Sequence, residues 1–372
     1  MTWIFRRILR LTTLTKFTSR SFHSVSATAP GVTSFQDMKA QVFKYVKRFE
    51  GEPKVENFQL VEEELKTLED NEILCEAQYW SVDPYMRVYI DERPLGVTMI
   101  GGQVAKVIES KHPKYPRNSL MFAYLGWRTH SVLNPDKVPA DMQLYRLPEL
   151  GSLSPSLGLG SLGMPGNTAY FGLLEVCKPK EGETVVVSGA AGAVGTLVGQ
   201  IAKIKGCRVV GIAGGPDKCA WLTKELGFDA AIDYKGQNVR KAIKESAPKG
   251  VDCYFDNVGG QISSDVIQNM NYGGRIGVCG AISSYNSSLE DWPKVPHLQP
   301  LFVMKELKME GLHVTRWLHR WMEGILQMKE WIRQGRIKSP ETFTDGFENL
   351  PQAFMDMLKG KNLGKAVVKA KF

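Results

Sequence analysis

A run of small residues, Gly189-Ala190-Ala191-Gly192-Ala193-Val194-Gly195, has the spacing of a phosphate-binding turn. Residues 184–187 before it form the continuous apolar run of a buried parallel strand, and residues 193–205 after it carry apolar side chains at helical spacing. Small residues let the backbone approach a pyrophosphate, and the first turn of a helix offers unpaired N–H groups and a positive dipole end. Glycine also serves close helix–strand packing, but the strand–turn–helix order favours a dinucleotide site at Gly189, Gly192, Ala193, Val194 and Gly195.

The end of the next strand-like segment, residues 208–213, indicates which nicotinamide cofactor is bound. NAD enzymes usually carry a carboxylate there for the ribose 2′-hydroxyl, but this chain continues as Gly214-Gly215-Pro216. The nearest acid, Asp217, is explained as a first-turn residue of the following helix. Lys218 follows it and suits a 2′-phosphate, although a solvated surface lysine is the alternative for that residue alone. The missing acid and the lysine together predict NADPH as the cofactor.

The spacing of cysteine and histidine does not predict a metal site. No two of the six cysteines lie within four residues of each other, so the chain has neither a zinc knuckle nor a CxxC pair. Within residues 37–160 the one cysteine is Cys75, and His112 and His130 are far from it in sequence. Scattered single cysteines fit a reducing compartment. We therefore expect no bound metal.

Length and charge exclude several classes of protein. The 372 residues are 43% hydrophobic and 23% charged, which is an ordinary globular composition for two to three domains. The net charge of +8 first suggests an acidic partner, but five basic residues and no acid lie within residues 1–36. The remaining 42 basic and 39 acidic residues nearly balance, which argues against a nucleic-acid partner. No apolar run is long enough to span a bilayer, so we expect no membrane insertion.

Residues 1–36 have the composition of a mitochondrial transit peptide. They hold Arg6, Arg7 and Arg10 opposite the apolar residues of one helical face, and twelve Ser or Thr residues occur by residue 34. Such Arg- and Ser-rich, acid-poor, amphipathic segments direct import. We expect a mitochondrial matrix location, and the alternative is a disordered basic tail on a cytoplasmic protein.

Strand-like and helix-like segments alternate from residue 184 onwards. Further strands are expected at 208–213, 230–233, 251–255 and 275–279, and helices at 217–226, 239–246 and 263–270. This alternation predicts a doubly wound α/β domain with a parallel sheet.

The residues on either side of this domain show a different pattern. Residues 37–160 hold short β-branched and aromatic runs punctuated by Gly and Pro, which predicts a mainly antiparallel β domain. Helices are expected at 321–333 and 347–358, with a terminal strand at 366–371. We expect this tail to return to the first domain.

Six longer motifs carry a resemblance to a known family. They are Ser81-Val82-Asp83-Pro84-Tyr85-Met86-Arg87, Gly163-Met164-Pro165-Gly166, the 189–195 turn, Asp256-Asn257-Val258-Gly259-Gly260, Cys279-Gly280-Ala281-Ile282-Ser283-Ser284-Tyr285-Asn286 and Asn362-Leu363-Gly364-Lys365. In this order the chain resembles the prostaglandin reductase (leukotriene 12-hydroxydehydrogenase) branch of the zinc-independent medium-chain dehydrogenase/reductase superfamily. The resemblance covers nearly all of the chain after residue 40.

The resemblance implies an α/β fold of two domains. One is a GroES-like β-rich catalytic domain over 37–160, completed by 316–372, and the other is a Rossmann domain over 161–315. It also implies NADPH-dependent reduction of the carbon–carbon double bond of an α,β-unsaturated ketone or aldehyde, of the 15-oxoprostaglandin or 2-alkenal type. Where zinc-dependent relatives have Gly-His-Glu, this chain has Gly101-Gly102-Gln103 and so lacks the imidazole.

The implied reaction needs a hydroxyl group near the substrate carbonyl. Hydride attack at the β-carbon moves negative charge to the carbonyl oxygen, and one well-placed hydroxyl can stabilise it. By resemblance the candidate catalytic residue is Tyr285, and the alternative is a loop aromatic that only packs on the cofactor. Tyr85 is the candidate substrate contact, although Asp83-Pro84 is also a strong structural turn signal.

The resemblance assigns further cofactor contacts. Lys218 and Tyr234 would meet the 2′-phosphate, and the rest of the site would be lined by Asn257, Cys279, Gly280, Ala281, Ile282, Ser283, Ser284, Tyr285, Leu312, His313, Val314 and Asn362. A buried, inert thiol is the favoured interpretation of Cys279, ahead of one that reacts with electrophilic enals.

Two other functions stay open on the sequence alone. One is a quinone reductase of the same superfamily, and the other is a non-catalytic NADPH-binding or RNA-associated scaffold. The partner we expect is a small-molecule enone or enal and not nucleic acid. Relatives are often dimers, so a homodimer is compatible with the resemblance.

Overall fold

The computed structural model describes residues 38–139, 142–288, 290–292 and 294–371. The transit peptide predicted over residues 1–36 lies outside these ranges. Within them, no helix is both long enough and apolar enough to cross a membrane. The predicted α/β class is confirmed, because a β-rich sheet and a parallel sheet flanked by helices make up the described chain.

The first sheet is built from the two ends of the chain. Its strands are β3 (Ile73–Ser81), β4 (Gln103–Ser110), β5 (Leu120–Ala123), β6 (His130–Leu133), β7 (Leu144–Arg146), β14 (Glu341–Asp345) and β15 (Lys365–Lys369), and a separate hairpin joins β1 (Lys39–Tyr45) to β2 (Phe58–Glu64). The order is β14-β15-β3-β4-β5-β7, with β6 paired to β3, and all pairs but β14–β15 are antiparallel. The C-terminal strands therefore complete a sheet begun by residues 73–81.

Aromatic side chains fill the core beside this sheet. Phe43, Trp80 and Trp127 are buried there with Phe347 and Phe354 of the C-terminal segment. Phe347 lies just before helix α9 (Leu350–Leu358), and Phe354 lies on it. Because these rings come from distant parts of the chain, the β-rich unit needs its C-terminal helix to exclude water from its core.

The second sheet is parallel throughout. Its strands are β8 (Thr184–Ser188), β9 (Arg208–Ala213), β10 (Ala230–Asp233), β11 (Val251–Asp256), β12 (Met270–Val278) and β13 (Lys308–Gly311), in the order β10-β9-β8-β11-β12-β13. The helices between them are α3 (Ala193–Ile204), α4 (Pro216–Leu226), α5 (Val239–Ser246), α6 (Gly260–Gln268) and α7 (Gln299–Lys305). The strand order reverses between β8 and β11, and ligands bind at such a point outside the carboxyl ends of the strands.

Two adjoining predicted boundaries are wrong. The strand expected at 275–279 is β12, which already begins at Met270 and ends at Val278. The helix expected at 263–270 is α6, which begins at Gly260 and ends at Gln268, while Met270 already belongs to β12. Met270 is buried, and its terminal Cε methyl group would lie 2.6 Å from a Cβ at Gly274. Its apolar side chain continues the helical spacing of Val266 and Ile267, which is why the pattern alone extends the helix too far.

A helical segment links the two sheets. Helix α2 (Met164–Phe171) runs directly into a π-helical turn, Gly172–Cys177, before β8. Phe171 is buried and stacks on Trp317 with ring centroids 5.4 Å apart. Trp317 lies in the segment that leads into helix α8 (Trp321–Arg333). The stack therefore packs α2 against that segment.

Candidate active site

The turn after β8 is shaped for a close backbone approach. Gly189 has a φ of +59°, and a Cβ at Gly195 would lie 2.3 Å from the Gly189 carbonyl oxygen. Gly192 is the N-cap of α3, so the free N–H groups of Ala193 and Val194 start that helix. A side chain at Gly189 would be strained by the positive φ, and one at Gly195 would clash with the backbone. The helix N-terminus that follows is suited to a pyrophosphate.

The predicted 2′-phosphate residues lie together beyond β9 and β10. The Lys218 Nζ donates hydrogen bonds to the carbonyl oxygens of Gly360 and Asn362, the latter at 2.8 Å. The Tyr234 hydroxyl would lie 3.1 Å from a Cβ at Gly214. Burial, and then the charge of Lys235, lower the pKa of Lys218. A dianionic phosphate would relieve this repulsion between cations, so the cluster fits NADPH.

Asp233 is a carboxylate near this cluster that sequence reasoning missed. It ends β10, and its Oδ1 accepts hydrogen bonds from the backbone N–H of Gly215 at 2.7 Å and of Lys235 at 3.0 Å. These bonds hold the pKa of Asp233 below its usual value. Asp233 therefore organises the turn that carries Lys218, and its Oδ1 is already engaged by the backbone.

The loop after β12 is fastened to the loop after β11. The N–H groups of Cys279 and Gly280 donate to the Asp256 carbonyl oxygen at 2.8 and 3.1 Å, and the Ser283 N–H donates to Val258 at 3.2 Å. The Asn257 side-chain amide donates to the Ser188 carbonyl oxygen at 2.7 Å. Residues 279–285 and Asn257 thus lie at the carboxyl ends of β8, β11 and β12, where the sheet order reverses.

A buried carboxylate, Asp256, sets the shape of this region. Its Oδ1 accepts hydrogen bonds from the hydroxyl of Tyr254 at 2.8 Å, from the hydroxyl of Ser188 at 3.1 Å, and from the N–H groups of Val258 and Gly259. The sequence marks this position only as part of a loop motif. The contacts show that the Asp256 carboxylate stabilises the turn after β11.

Tyr285 lies over its own loop. Its hydroxyl accepts a hydrogen bond from the Ala281 N–H at 3.2 Å and would lie 3.0 Å from a Cβ at Gly280. Burial raises the pKa of Tyr285 above its usual value, and the Ala281 bond opposes this only partly. The phenol therefore keeps its proton at neutral pH, and the Ala281 bond leaves that proton available to another acceptor.

Tyr85 comes from the opposite, β-rich side of the molecule. It starts the short helix α1 (Tyr85–Tyr89), which opens at the Asp83-Pro84 turn. Its hydroxyl is buried and has no hydrogen-bond partner among the described residues, and burial raises its pKa well above the usual value. The Asp83-Pro84 signal is thus a structural turn that also presents Tyr85. A buried phenol without a partner costs free energy, which a ligand oxygen would recover.

Two contacts join α1 to the other domain, and sequence reasoning found neither. The Arg87 Nε donates to Asn286 Oδ1 at 3.1 Å, so α1 is tied to the residue after Tyr285. The Tyr89 hydroxyl lies 3.4 Å from His313 Nε2. No local pattern reveals such pairs, because the partners are more than 190 residues apart.

The remaining predicted cofactor residues make different contacts within the chain. Leu312 is buried, and its side chain would lie 3.0 Å from a Cβ at Gly172, so its apolar end belongs to the core. The Nδ1 of His313 lies 2.6 Å from the Thr315 hydroxyl, and Val314 is half-buried beside the core. Asn362 donates to the Gly364 carbonyl oxygen at 2.8 Å and offers its own carbonyl to Lys218.

The described residues do not fit a metal ion. Within them, no group of three or more His, Cys, Asp or Glu side chains is placed to hold one. Cys75 is buried, and burial raises its pKa to about 12. Burial raises the pKa of the Cys279 thiol to about 12 as well, so at neutral pH it is a weak nucleophile.

Comparison with known proteins places the chain among oxidoreductases. The family model of the N-terminal domain of oxidoreductase matches residues 41–140, and that of zinc-binding dehydrogenase matches residues 193–330, although the described residues offer no zinc site. The chain is 49% identical to prostaglandin reductase 1 of Bos taurus over 87% of this chain and 97% of that protein. It is 40% identical to the NADPH-dependent curcumin reductase of Escherichia coli (strain K12) over 86% of this chain and 93% of that protein. The crystal structure of CurA in complex with NADPH from Vibrio vulnificus is similar, with a TM-score of 0.83 and 38% identity, over 89% of this chain and 99% of that one.

Proposed function

Because this chain belongs to the prostaglandin reductase branch of the zinc-independent medium-chain dehydrogenase/reductase superfamily, we propose that it reduces the carbon–carbon double bond of α,β-unsaturated ketones and aldehydes with NADPH. One observation carries this proposal. A buried Tyr85 hydroxyl, which has no hydrogen-bond partner among the described residues, and a protonated Tyr285 belong to elements that Arg87 and Asn286 join, close to a turn suited to pyrophosphate. Phenolic donors of this kind suit an enone carbonyl.

NADPH binding falls to the parallel sheet. The backbone of 189–195 and the start of α3 receive the pyrophosphate, while Lys218 and Tyr234 receive the 2′-phosphate. Asn257 and the 279–285 loop line the nicotinamide end, since they lie at the carboxyl ends of the central strands. When bound, the cofactor supplies a hydride to the β-carbon of the substrate.

The two tyrosines stabilise the negative charge that hydride addition moves to the substrate oxygen. The substrate carbonyl oxygen becomes an enolate oxygen, and Tyr285 donates its phenolic proton to that oxygen in a hydrogen bond. Tyr85 offers a second donor, because its buried hydroxyl has no partner in the part of the chain that the structure describes. Both donors are in place before the reaction, so little reorganisation is needed as the negative charge develops. A proton from Tyr285 or from water, added at the α-carbon, completes the saturated product.

The test is NADPH oxidation followed at its near-ultraviolet band against a panel of enones, alkenals, quinones and alcohols, with product identification. We expect loss of the olefin with the carbonyl retained for a 15-oxo-prostaglandin and for a nonenone. Faster turnover of simple quinones than of any enone would support the quinone reductase instead. Saturated ketones converted to alcohols would contradict the proposal.

We further propose that the protein is a homodimer that pairs through β13. This strand is the edge of the parallel sheet in the described chain, and all four of its residues are exposed. Met309 lies on it, and Val303 and Met304 of α7 lie next to it in sequence and are exposed by 80% and 73%. An exposed edge strand with apolar neighbours is a ready partner for a second strand, and a two-fold axis would pair it with its own copy.

We also propose a mitochondrial matrix location, supported by the arginine- and serine-rich, acid-free composition of residues 1–36. A fluorescent protein fused to residues 1–36 should enter mitochondria. The matched control replaces Arg6, Arg7 and Arg10 with glutamine and should stay in the cytosol. Diffuse cytosolic fluorescence from the unsubstituted fusion would support the cytoplasmic alternative.

A further inference from the structure

Lys365 carries a buried ammonium group that none of the steps above uses. It begins β15, and its side chain is 3% exposed. Its Nζ lies 3.1 Å from Asp83 Oδ1 and donates to the carbonyl oxygens of Val82 at 2.7 Å and Ala366 at 2.8 Å. Three acceptors thus match the three N–H bonds of an ammonium group.

Stability alone is a weak reason for this ion pair. Taking two charges out of water is expensive, and apolar residues of similar volume often replace a buried pair without loss of stability. Asp83 is itself only 4% exposed, and it also accepts a hydrogen bond from the Ser81 hydroxyl. The pair also connects two segments of the proposed site.

On one side the pair fixes the turn that presents Tyr85. The Asp83 carbonyl oxygen accepts the Met86 N–H at 3.2 Å, which closes the first turn of α1 around Tyr85. The negative charge of Asp83 also contributes to the raised pKa of Tyr85. A displacement of Asp83 would therefore move the Tyr85 hydroxyl.

On the other side Lys365 adjoins the pyrophosphate turn. The N–H of Gly364 donates to the Ala191 carbonyl oxygen at 2.8 Å, and Gly364 forms an isolated parallel bridge with Gly192. Gly364 has a φ of +63°, and a Cβ there would lie 2.1 Å from the Pro340 carbonyl oxygen. This segment has little freedom, so its position follows that of the cofactor turn.

We propose that Lys365 is a positioning residue for the reduction, and that its ion pair with Asp83 sets the distance between Tyr85 and the cofactor. The proposal rests on the proposed function, since it assigns a role in placing the enone carbonyl. Lys365 contacts the turn at Asp83, and the neighbouring Gly364 contacts the pyrophosphate turn. This short segment therefore fixes the position of one turn relative to the other. Misplacing a reactive group by about 1 Å can cost about 100-fold in rate.

The experiment compares three variants of the full chain with the wild type. Lys365→Met leaves the Asp83 carboxylate buried without its cation, which destabilises the fold and makes this variant uninformative alone. The informative protein is therefore the double variant Lys365→Met with Asp83→Asn, in which neither charge remains. Lys369→Met, at the exposed end of the same strand, is the matched control.

For the double variant we expect kcat/KM for an enone to fall about 10- to 100-fold, while the Kd for NADPH, from fluorescence titration, stays within about twofold. Lys369→Met should match the wild type in both. A folded double variant with wild-type kcat/KM would overturn the proposal, and so would equal losses of NADPH affinity and enone turnover. A wild-type protein that reduces no enone would instead contradict the proposed function.

Discussion

At the residue scale, the proposed donors to the substrate carbonyl are two phenols from opposite domains. Burial raises the pKa of both Tyr85 and Tyr285, so both stay protonated at neutral pH and act as donors. Tyr285 has the Ala281 N–H to orient its oxygen, whereas the Tyr85 hydroxyl has no partner in the described chain. This difference makes Tyr285 the pre-oriented donor and Tyr85 the one that a ligand would satisfy.

Removing the Tyr285 hydroxyl tests its part in catalysis. We expect Tyr285→Phe to lower kcat for an enone about 100-fold or more, because one donor to the developing oxyanion is lost. The Kd for NADPH should change little, since the ring remains. Tyr272→Phe, at an exposed tyrosine, is the control. A Tyr285→Phe enzyme with the wild-type rate would leave Tyr285 as a loop aromatic that only packs on the cofactor.

The raised pKa of Tyr285 also predicts a pH dependence. The donor is the protonated form, and a folded-state pKa above the usual 10.0 keeps it protonated over the whole neutral and mildly alkaline range. We therefore expect no fall in kcat attributable to this group up to about pH 9. The measurement is kcat against pH for the wild type and Tyr285→Phe. A decline centred below about pH 9 in the wild type and missing from Tyr285→Phe would contradict the raised pKa.

Lys218 should decide between the two nicotinamide cofactors. Its Nζ is held by two carbonyl oxygens and lies near a second cation, so a phosphate dianion is its best ligand. We expect Lys218→Ala to raise the KM for NADPH at least tenfold and to leave that for NADH nearly unchanged. Lys224→Ala, at the exposed end of the same helix, should behave as the wild type. Equal losses for both cofactors would mean that Lys218 does not read the 2′-phosphate.

Sequence reasoning reached the residues of this site to different degrees. The 189–195 turn and Lys218 follow from residue type and local spacing. Tyr285 and Tyr85 came from the family resemblance, since no local pattern distinguishes one tyrosine from another. Arg87, Asn286 and the Asp83–Lys365 pair required the fold, because their contacts join parts of the chain about 200 residues or more apart.

At the element scale, buried parallel strands were the easiest to predict. The apolar run at 208–213 coincides with β9, in which every residue after Arg208 is buried, because a strand covered on both faces needs continuous apolar sequence. The run at 230–233 coincides with β10, an edge strand of which Ile232 alone is buried. The short edge strand β13 was not predicted, since its four exposed residues carry no such pattern. The sequence pattern places the end of α6 too late for the opposite reason. Met270 is a buried apolar residue, and such a residue fits the end of a helix as well as the start of a strand.

The pyrophosphate turn is an element whose shape depends on one missing side chain. A Cβ at Gly195 would lie 2.3 Å from the Gly189 carbonyl oxygen, so Gly195→Ala must push α3 away from the turn. We expect the Kd for NADPH to rise at least tenfold and the free energy of unfolding to fall by about 1–3 kcal/mol. Fluorescence titration and urea denaturation measure the two. An alanine variant with wild-type cofactor affinity would mean that the turn does not have to be this tight.

At the scale of the whole molecule, the site belongs to neither sheet alone. The parallel sheet supplies the cofactor turn and Tyr285, and the β-rich unit supplies Tyr85. Gly364, just before β15, contacts the cofactor turn, and Lys365, the first residue of β15, contacts the turn before Tyr85. The chain therefore needs its C-terminal segment for two reasons, to close the aromatic core and to connect the two halves of the site. This long-range closure explains why local patterns predict the elements better than the site.

The exposed edge of the parallel sheet yields a prediction for the assembly. If two copies pair through β13, the wild type should have the mass of a dimer by light scattering. A charge placed on that edge should then weaken the contact, because it would be buried against its own copy on the two-fold axis. We expect Met309→Lys to raise the dimer dissociation constant at least tenfold, whereas Leu326→Lys, at an exposed position on α8, should leave it unchanged. A wild type that is monomeric at micromolar concentration, or a Met309→Lys protein that stays dimeric, would exclude β13 as the interface.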